Sequence, residues 1–478
     1  MPPRTARLRA LARRSGRTSA ALSRARASWT ACACLLLVAL ACQASDPPAR
    51  PSLLLITLDT TRADYVSLLG GPTGATPHLD AFGAEAAVFE TAWSESNMTN
   101  PSHLSIMTGL PTREHGVSSN FTAMPPNLDT LAKALQREGY ETAAFVSARP
   151  LAAPFGWAGF DTIPDVQGEL DASEVTDRAV RWLGDGAQEP FFAWVHYWNP
   201  HTMYEPPPED FARFYTGDPT QGPGPQIASE PFFQQATDFG IGAQLARWLG
   251  AVRDPAWGRA KYTAELHYTD RQVGRLLAAL NSRGLAEDTV IVIAADHGES
   301  LGEHGIFYAH VGVYDEVLRV PLMIYAPGQM PVRSAVPVWT LDIAPTVAEL
   351  LGAPLEHEPA GLSLVSALRG EPDATLLARD RFIHHHGADR AIAIRDGRWK
   401  MIWPLGSGDR VLGSAVELFD IEEDPSEQND LSAVHPEVLD RLRATIQPWL
   451  DDAARQAAPS RRVTPEIREQ LEAMGYVE

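Results

Sequence analysis

Short apolar runs that stop abruptly at a polar residue dominate the patterning of this chain. Ser52–Leu58, Pro190–His196 and Thr289–Ala295 are seven residues each, almost wholly apolar and rich in branched or aromatic side chains. That pattern predicts strands buried on both faces of a parallel sheet. Each run delivers polar residues at its carboxyl end: Asp59, then His196 through His201, then Asp296 and His297. Between them, apolar residues recur at helical spacing over Leu128–Glu138, which stops at Gly139, over Val175–Leu183, and over Tyr262–Leu280 ahead of Gly284. Strands alternating with helices predict an α/β fold, a doubly wound α/β/α sandwich around a large, mostly parallel sheet. Ligands of such sheets bind beyond the carboxyl ends of the strands, so three independent strands point at one site.

Two stretches break the alternation. Residues 203–260 carry Pro206-Pro207-Pro208, a Gly- and Pro-rich run over Gly217–Pro225 and scattered aromatics (Phe211, Phe214, Tyr215, Phe232, Phe233, Trp248). An irregular insertion of that length is either a functional lid or a surface excursion. If it shapes a pocket, its aromatics are the specificity residues. From about Ala374 the texture changes to short strands, with Asp396-Gly397 a hairpin signal inside Arg390–Trp403, and then a helical pattern over Pro436–Leu450. The expected division is a catalytic domain over 51–373 with the insertion at 203–260, and a small antiparallel C-terminal subdomain over 374–478.

Composition bounds the partners. The 478 residues are 45% hydrophobic and 21% charged, an ordinary globular balance with no run of the roughly 20 apolar residues a membrane-spanning helix needs. The first thirty residues hold eight arginines and no acid, and the apolar run Ala31–Ala41 follows, ending before Cys42. This is the order of an export signal over residues 1–41. Ala39-Leu40-Ala41 suits ordinary cleavage and Cys42 suits a lipoprotein attachment site. The expectations are thus a periplasmic protein or one lipid-anchored at the cell envelope, with a misassigned start as the remaining alternative. All three cysteines, Cys32, Cys34 and Cys42, lie in or beside this segment, so the mature domain has no disulfide, thiolate ligand or cysteine nucleophile. Without the eight arginines the formal charge of −20 becomes −28. Such a surface opposes nucleic acid and anionic lipid, so an anionic substrate must be attracted locally. Lysine is scarce: only Lys133, Lys261 and Lys400 occur.

Thr99-Asn100-Pro101-Ser102-His103, continued by Leu104-Ser105-Ile106-Met107-Thr108-Gly109, resembles the signature of the sulfatases, in which a Cys or Ser heading C/S-x-P-S-R-x-x-L-x-T-G becomes formylglycine. Asp296-His297-Gly298-Glu299 through Glu303-His304-Gly305 resembles the family's D-H-G-E-x-x-G-E-H-G phrase, and Leu58-Asp59-Thr60-Thr61-Arg62 its first metal-binding segment, with Thr60 where many members have a second acid. Gly397-Arg398-Trp399-Lys400 and Leu418 through Leu431 resemble the family's C-terminal phrases, so the resemblance spans residues 51–478. It implies an alkaline-phosphatase-like α/β/α sandwich and an ester hydrolase.

The departures set the chemistry. A threonine cannot be oxidised to the aldehyde, so no formylglycine is possible at Thr99. The resemblance implies a site for one divalent metal (Ca, Mn or Zn) made of Asp59, Thr99, Asp296 and His297; imidazole moves the preference from calcium toward the transition metals. The same Asp/Thr/Asp/His set resembles one metal site of the threonine-nucleophile nucleotide pyrophosphatase/phosphodiesterases, where the metal lowers the hydroxyl pKa. His103 replaces the family's arginine, Ser147 and His310 replace two lysines, and Asn199 replaces the Asp of its H-x-x-D-P-H phrase. His103, His196, His201 and His310 are therefore the expected catalytic histidines beside Thr99, with Arg62 or Arg149 adding positive charge. Glu299, Glu303 and His304 are expected as supporting residues, and a two-metal site is the alternative. His384-His385-His386 reads as a strand or loop surface. The expected substrate is a small anionic ester, sulfated or phosphorylated, on a saccharide or lipid. Three functions stay open: sulfate-ester hydrolysis, hydrolysis of phosphodiesters, phosphonates or phosphate esters by Thr99, and noncatalytic anion or glycan binding.

Overall fold

A computed structural model describes residues 50–455 apart from 165, 167, 236–241, 387–390 and 406–414, together with 464, 465 and 468. The export signal and Cys42 lie outside the described residues. Ten strands precede the C-terminal subdomain: β1 (Ser52–Leu58), β2 (Ala87–Trp93), β3 (Glu141–Phe145), β4 (Phe191–Tyr197), β5 (Thr289–Ala295), β6 (Ser300–Leu301), β7 (Phe307–Ala309), β8 (Arg319–Tyr325), β9 (Val332–Ser334) and β10 (Val338–Trp339). Eight of them form one sheet in the order β10-β2-β8-β5-β1-β4-β3, with β9 on β2, while β6 and β7 pair separately. Within the eight-stranded sheet, β8 alone among the described strands runs against its neighbours.

The three apolar runs of the sequence are β1, β4 and β5, buried throughout. β1 lies between the other two, and Leu58 pairs with Tyr197 on one side and Ala295 on the other. The residues that follow therefore leave the sheet level with one another, and the Asp59 amide still bonds to the Tyr197 carbonyl at 2.9 Å. Register alone brings Asp59 and Asp296 together.

Two groups of helices form the outer layers. Pro77–Gly83, Ala172–Gly184 and Pro255–Ser282 pack together, as do Thr99–Thr108, Leu131–Arg137 and Ile343–Leu351. Their starts follow capping rules. Asp171 accepts from the Ser173 amide, and Asp254 accepts from the Ala256 amide ahead of Pro255 at the first helical position. The helix expected over Tyr262–Leu280 begins a full seven residues earlier because of that cap.

The C-terminal segment forms an antiparallel sheet of β11 (Arg381–His386), β12 (Ala391–Asp396), β13 (Trp399–Pro404) and β14 (Glu417–Asp420). Gly397, at φ 60°, starts the expected tight turn between Asp396 and Trp399, which pair across the hairpin. Leu442 and Ile446 of the helix Pro436–Arg455 close a small core over Ile392, Ile394, Met401 and Leu418. The family phrases acquire a physical reason here. Lys400 is wholly buried; its ammonium meets Asp315 at 2.9 Å and Glu427 at 2.5 Å, and Arg395 also bonds Asp315. Removing one partner of a buried ion pair strands the other charge, at a cost of about 3–5 kcal/mol. Lys400→Met is expected to lose stability of that order in urea unfolding, with a proportionate fall in midpoint.

Candidate active site

Asp296 and Asp59 are fully buried. Asp296 Oδ1 accepts from two amides, His297 at 2.8 Å and Thr60 at 3.2 Å, and this turns Oδ2 away with no hydrogen bond. Thr60 delivers its amide from a left-handed conformation, φ 47°, that non-glycine residues rarely adopt. The Tyr262 hydroxyl holds it there, donating to the Thr60 carbonyl at 2.6 Å while accepting from the Arg62 amide at 2.9 Å. Neither Asp59 oxygen has a hydrogen-bond partner. Burial first, then repulsion from Asp296 and Glu299, pushes the Asp59 carboxyl well above the usual range. Burial likewise raises Asp296 to about 6.

His297 bonds through Nδ1 to the Gly298 carbonyl at 3.0 Å, which leaves Nε2 3.5 Å from Asp296 Oδ2 without a hydrogen bond. Burial lowers its pKa to about 4, so the ring is neutral and Nε2 carries a lone pair. Gly298 follows because a Cβ there would meet the Glu316 carbonyl oxygen at 2.2 Å. Ligating atoms of Asp59, Asp296 and His297 lie within 4.8 Å of one another. The Thr99 hydroxyl, also buried, faces Asp59 but forms no regular hydrogen bond. Orphaned oxygens and an orphaned imidazole nitrogen converging on one point fit a divalent cation.

Thr99 opens the helix Thr99–Thr108, whose positive end therefore faces the carboxylates. Of its first amides, Asn100 bonds Asn120 Oδ1 at 2.8 Å and Pro101 has none to offer. The Ser102 hydroxyl donates to the Asp296 carbonyl at 2.7 Å and stitches this helix to the end of β5.

The structure separates the four expected histidines into two pairs. His103 and His196 are wholly buried, whereas His201 and His310 are partly exposed. His103 Nδ1 bonds the Thr99 carbonyl at 2.7 Å and so carries the proton; Nε2 accepts from the Thr57 hydroxyl at 3.0 Å, which takes the Trp194 indole N–H at 3.0 Å. Both ring nitrogens serve the scaffold behind Thr99. His196 Nδ1 bonds Ser147 Oγ at 2.9 Å while that hydroxyl donates to the His196 carbonyl at 2.8 Å. Its Nε2 lone pair is left 3.3 Å from Asp59 Oδ2 without a hydrogen bond, a second demand for a cation. At the rim, His201 Nδ1 bonds the Thr202 carbonyl at 2.6 Å and His310 Nδ1 the Asn97 carbonyl at 2.8 Å, with the two rings 5.5 Å apart.

A family model for the sulfatases matches residues 51–353, well over half of the chain. The chain belongs to the sulfatase family. A second model, that of the N-sulphoglucosamine sulphohydrolase C-terminal region, matches residues 302–453. A Delta 4,5-hexuronate-2-O-sulfatase of Bacteroides thetaiotaomicron is 26% identical over 449 residues, covering 86% of this chain and 91% of the relative. A choline-sulfatase of Rhizobium meliloti is 25% identical, covering 80% and 82%. The phosphonate monoester hydrolase of Agrobacterium radiobacter shares the fold at a TM-score of 0.67 and 23% identity, covering 85% of this chain and 96% of its own. The protein is thus a hydrolase of the sulfatase family, with the alkaline-phosphatase-like α/β/α sandwich expected.

Against the sulfatase pattern, several neighbours of the site differ from the sequence reading. Arg62 is no free cation: Asp64 takes its Nε and Nη2 at 2.9 and 2.8 Å, and Glu303 takes Nη1 at 3.0 Å. Arg149 is buried and spends Nη1 on the Val166 carbonyl. Asn199 reaches Glu265 at 2.7 Å. Glu299, raised to about 8 by burial, accepts the Tyr204 hydroxyl, which pins the start of the insertion. The insertion's Phe232 and Phe233 lie in a second buried core with Tyr204, Tyr262 and Tyr308, so they are packing residues rather than a pocket rim. His304, Glu316 and Glu427 form another ligand-like group, but Lys400 already supplies its positive charge. His384 and His385 are buried, not a surface: His384 Nδ1 bonds the Ser94 carbonyl at 2.7 Å and His385 Nδ1 bonds Glu95 Oε1 at 2.7 Å. No local signal reveals that contact, which spans 290 residues.

These placements separate two kinds of histidine variant. His103→Ala leaves a cavity and two stranded partners, and is expected to cost about 3 kcal/mol in urea unfolding. His201→Ala, at the rim, is expected to change stability by less than about 1 kcal/mol.

Proposed function

We propose that this protein hydrolyses sulfate esters, with one divalent metal held by Asp59, Asp296, His297 and Thr99 and with Thr99 as nucleophile. The convergence of five unsatisfied buried atoms, Thr99 Oγ1, both Asp59 oxygens, Asp296 Oδ2 and His297 Nε2, carries this reading. The mixed carboxylate and imidazole set favours manganese or zinc over calcium. Bound there, the metal would lower the pKa of the hydroxyl and offset the charge of the ester. The chain's own residues do the rest. The helix start at Thr99 presents its positive end to the anion, while His103 and Ser102 hold Thr99 and Asp296 in register. His201, whose Nδ1–H is spent on the Thr202 carbonyl and which burial holds neutral, has its Nε2 lone pair to accept a proton from an attacking water, and His310 lies beside it with the same Nδ1 arrangement. The sulfated-saccharide relative supports a saccharide sulfate as the substrate class.

One observation favours a second reading. Thr99 has a single hydroxyl, so a threonine ester must be resolved by direct attack of water, a step easier at phosphorus than at sulfur. Phosphonate or phosphate esters are the substrates of that reading, and the related phosphonate hydrolase fold is compatible with it.

Turnover of 4-nitrophenyl sulfate, a phenylphosphonate monoester and bis-nitrophenyl phosphate ranks the readings. The expectation is highest kcat/KM on the sulfate, loss of at least about a thousandfold in Thr99→Ala and in Asp59→Asn, and abolition by chelator with recovery in manganese or zinc. Highest kcat/KM on a phosphorus ester establishes the second reading, and no turnover sensitive to Thr99→Ala leaves anion or glycan binding.

We also infer export to the cell envelope with lipidation at Cys42, from the arginine-rich start, the apolar run and the Ala39-Leu40-Ala41-Cys42 junction. Labelled fatty acid is expected to enter the wild-type chain in its host and not Cys42→Ser. Unlabelled protein in the soluble periplasmic fraction would show an ordinary cleaved signal instead.

A further inference from the structure

We propose that Glu95 and His385 are positioning residues, through which the C-terminal sheet holds Thr99 in its place over the metal-binding carboxylates. The proposal rests on the reading of Thr99 as nucleophile for its kinetic consequence alone; the structural coupling stands apart from it.

Glu95 is wholly buried four residues before Thr99, and no lysine or arginine among the described residues pairs with it. Its carboxylate is held by donors from three other segments. The Thr112 hydroxyl and the Thr112 amide, the latter at 3.0 Å, come from the start of the short helix Thr112–His115. The Ser105 hydroxyl, at 3.2 Å, comes from the helix that Thr99 opens. His385 Nδ1–H, at 2.7 Å, comes from β11. The donor order is internally consistent. His115 Nδ1 accepts the Val117 amide at 3.1 Å, so its Nε2–H donates to Ser105 Oγ at 3.1 Å and frees the Ser105 hydroxyl proton for Glu95. Burial opposes the charge on Glu95, yet the bond from His385 and the other donors hold its pKa below the usual value. A carboxylate satisfied this way is a rigid junction rather than a titrating group at neutral pH.

β11 also grips the same loop through the backbone. The His385 amide donates to the Glu95 carbonyl at 2.8 Å, Ser96 and His385 form an isolated bridge, and His384 Nδ1–H reaches the Ser94 carbonyl at 2.7 Å. Ser94, Glu95 and Ser96 are thereby fixed by the C-terminal sheet on one side, and Glu95 fixes the helix on the other. Only Asn97 and Met98 separate this clamp from Thr99. Asn97 is itself tied to the His310 carbonyl at 2.7 Å, so the clamp extends to the rim histidine. Displacement of a nucleophile by about 1 Å costs about a hundredfold in rate, which makes such a clamp consequential.

The test compares full-length His385→Ala with His385→Asn, whose amide N–H replaces the donor at Nδ1. Hydrogen exchange read by mass spectrometry reports the loop and helix without any substrate. The expected result in the alanine variant is exchange faster by at least about tenfold over residues 98–106, with amides of β1 and β5 unchanged, and most of the protection regained in the asparagine variant. On the best ester substrate, kcat is expected to fall by about tenfold to a hundredfold in the alanine variant with KM within about twofold, and to recover in the asparagine variant. Unchanged exchange over 98–106, an equal rise across β1 and β5, or no difference between the two variants would overturn the proposal. Should the alanine variant not fold, Thr112→Val removes another donor from the same carboxylate and is held to the same exchange criteria. A wild-type chain that turns over no ester defeats the functional reading and leaves the exchange result to decide this one.

Discussion

Two carboxylates buried side by side without a fixed positive charge govern this structure. Asp59 and Asp296 leave adjacent parallel strands at the same level, and no lysine or arginine among the described residues forms an ion pair with either. Such a pair cannot remain ionised in a low-dielectric interior unless a cation joins it. Protonation would relieve the repulsion, and both groups are indeed pushed up by burial. The surrounding details favour a metal over a proton. Two amides hold Asp296 Oδ1 as an ionised acceptor, and the imidazoles of His196 and His297 are tied through Nδ1 so that lone pairs at Nε2 face the carboxylates. A site with only protons to accommodate would place donors there. The strained turn at Thr60 is one cost of this geometry, of order 1–3 kcal/mol, carried by the Tyr262 hydroxyl and the Asp296 bond that fix it.

What the sequence made legible follows from how local the signal is. Uniformly apolar seven-residue runs ending in a polar residue mark β1, β4 and β5 because a strand buried on both faces has no other composition. Once those strands are parallel neighbours, Asp59, Asp296 and His297 must meet. Thr99 and Ser102 were reachable through their motif, and the Ser102 bond to the Asp296 carbonyl gives that motif a mechanical meaning. The misreadings concern contacts that join distant segments. His103, expected as a catalytic histidine in place of the family's arginine, has both nitrogens engaged by the Thr57 hydroxyl and the Thr99 carbonyl. Three consecutive histidines looked like a surface because nothing near them in sequence supplies partners; Ser94 and Glu95, the partners of His384 and His385, lie 290 residues away. Arg62 looked like a cation for the substrate until Asp64 and Glu303 were seen to occupy it. Long-range pairing decides whether a polar residue works at a site or supports one, and periodicity carries no information about it.

The departures from the family's motifs share a physical direction. By the resemblance to the family's motifs, Ser147 and His310 stand in place of two lysines and His103 in place of an arginine, which removes permanent charge from a chain that is already strongly acidic. A metal must then provide most of the attraction for an anionic ester. The imidazoles at the rim are oriented by backbone carbonyls. An imidazole held through Nδ1–H binds an anion less tightly in the ground state than a fixed cation, yet its Nε2 lone pair can accept a proton from water, which a fixed guanidinium cannot. The site therefore trades ground-state attraction for proton transfer.

That trade also explains how the head of the signature can change while its frame persists. Pro101, Ser102 and the start of the helix serve geometry: they remove a surplus amide, join the helix to β5 and aim its positive end at the carboxylates. None of these functions depends on whether the first residue bears an aldehyde hydrate or a hydroxyl. The head residue must only place an oxygen against Asp59, and Thr99 does so with a hydroxyl whose methyl group narrows its rotamer choice. A frame that fixes position independently of the nucleophile's chemistry leaves that chemistry to the head residue and to the charge around it. On the proposed reading of Thr99 as nucleophile, the head offers one oxygen where a hydrate offers two, so water would finish the reaction, and the rim formed by His201 and His310 is where this chain would direct it.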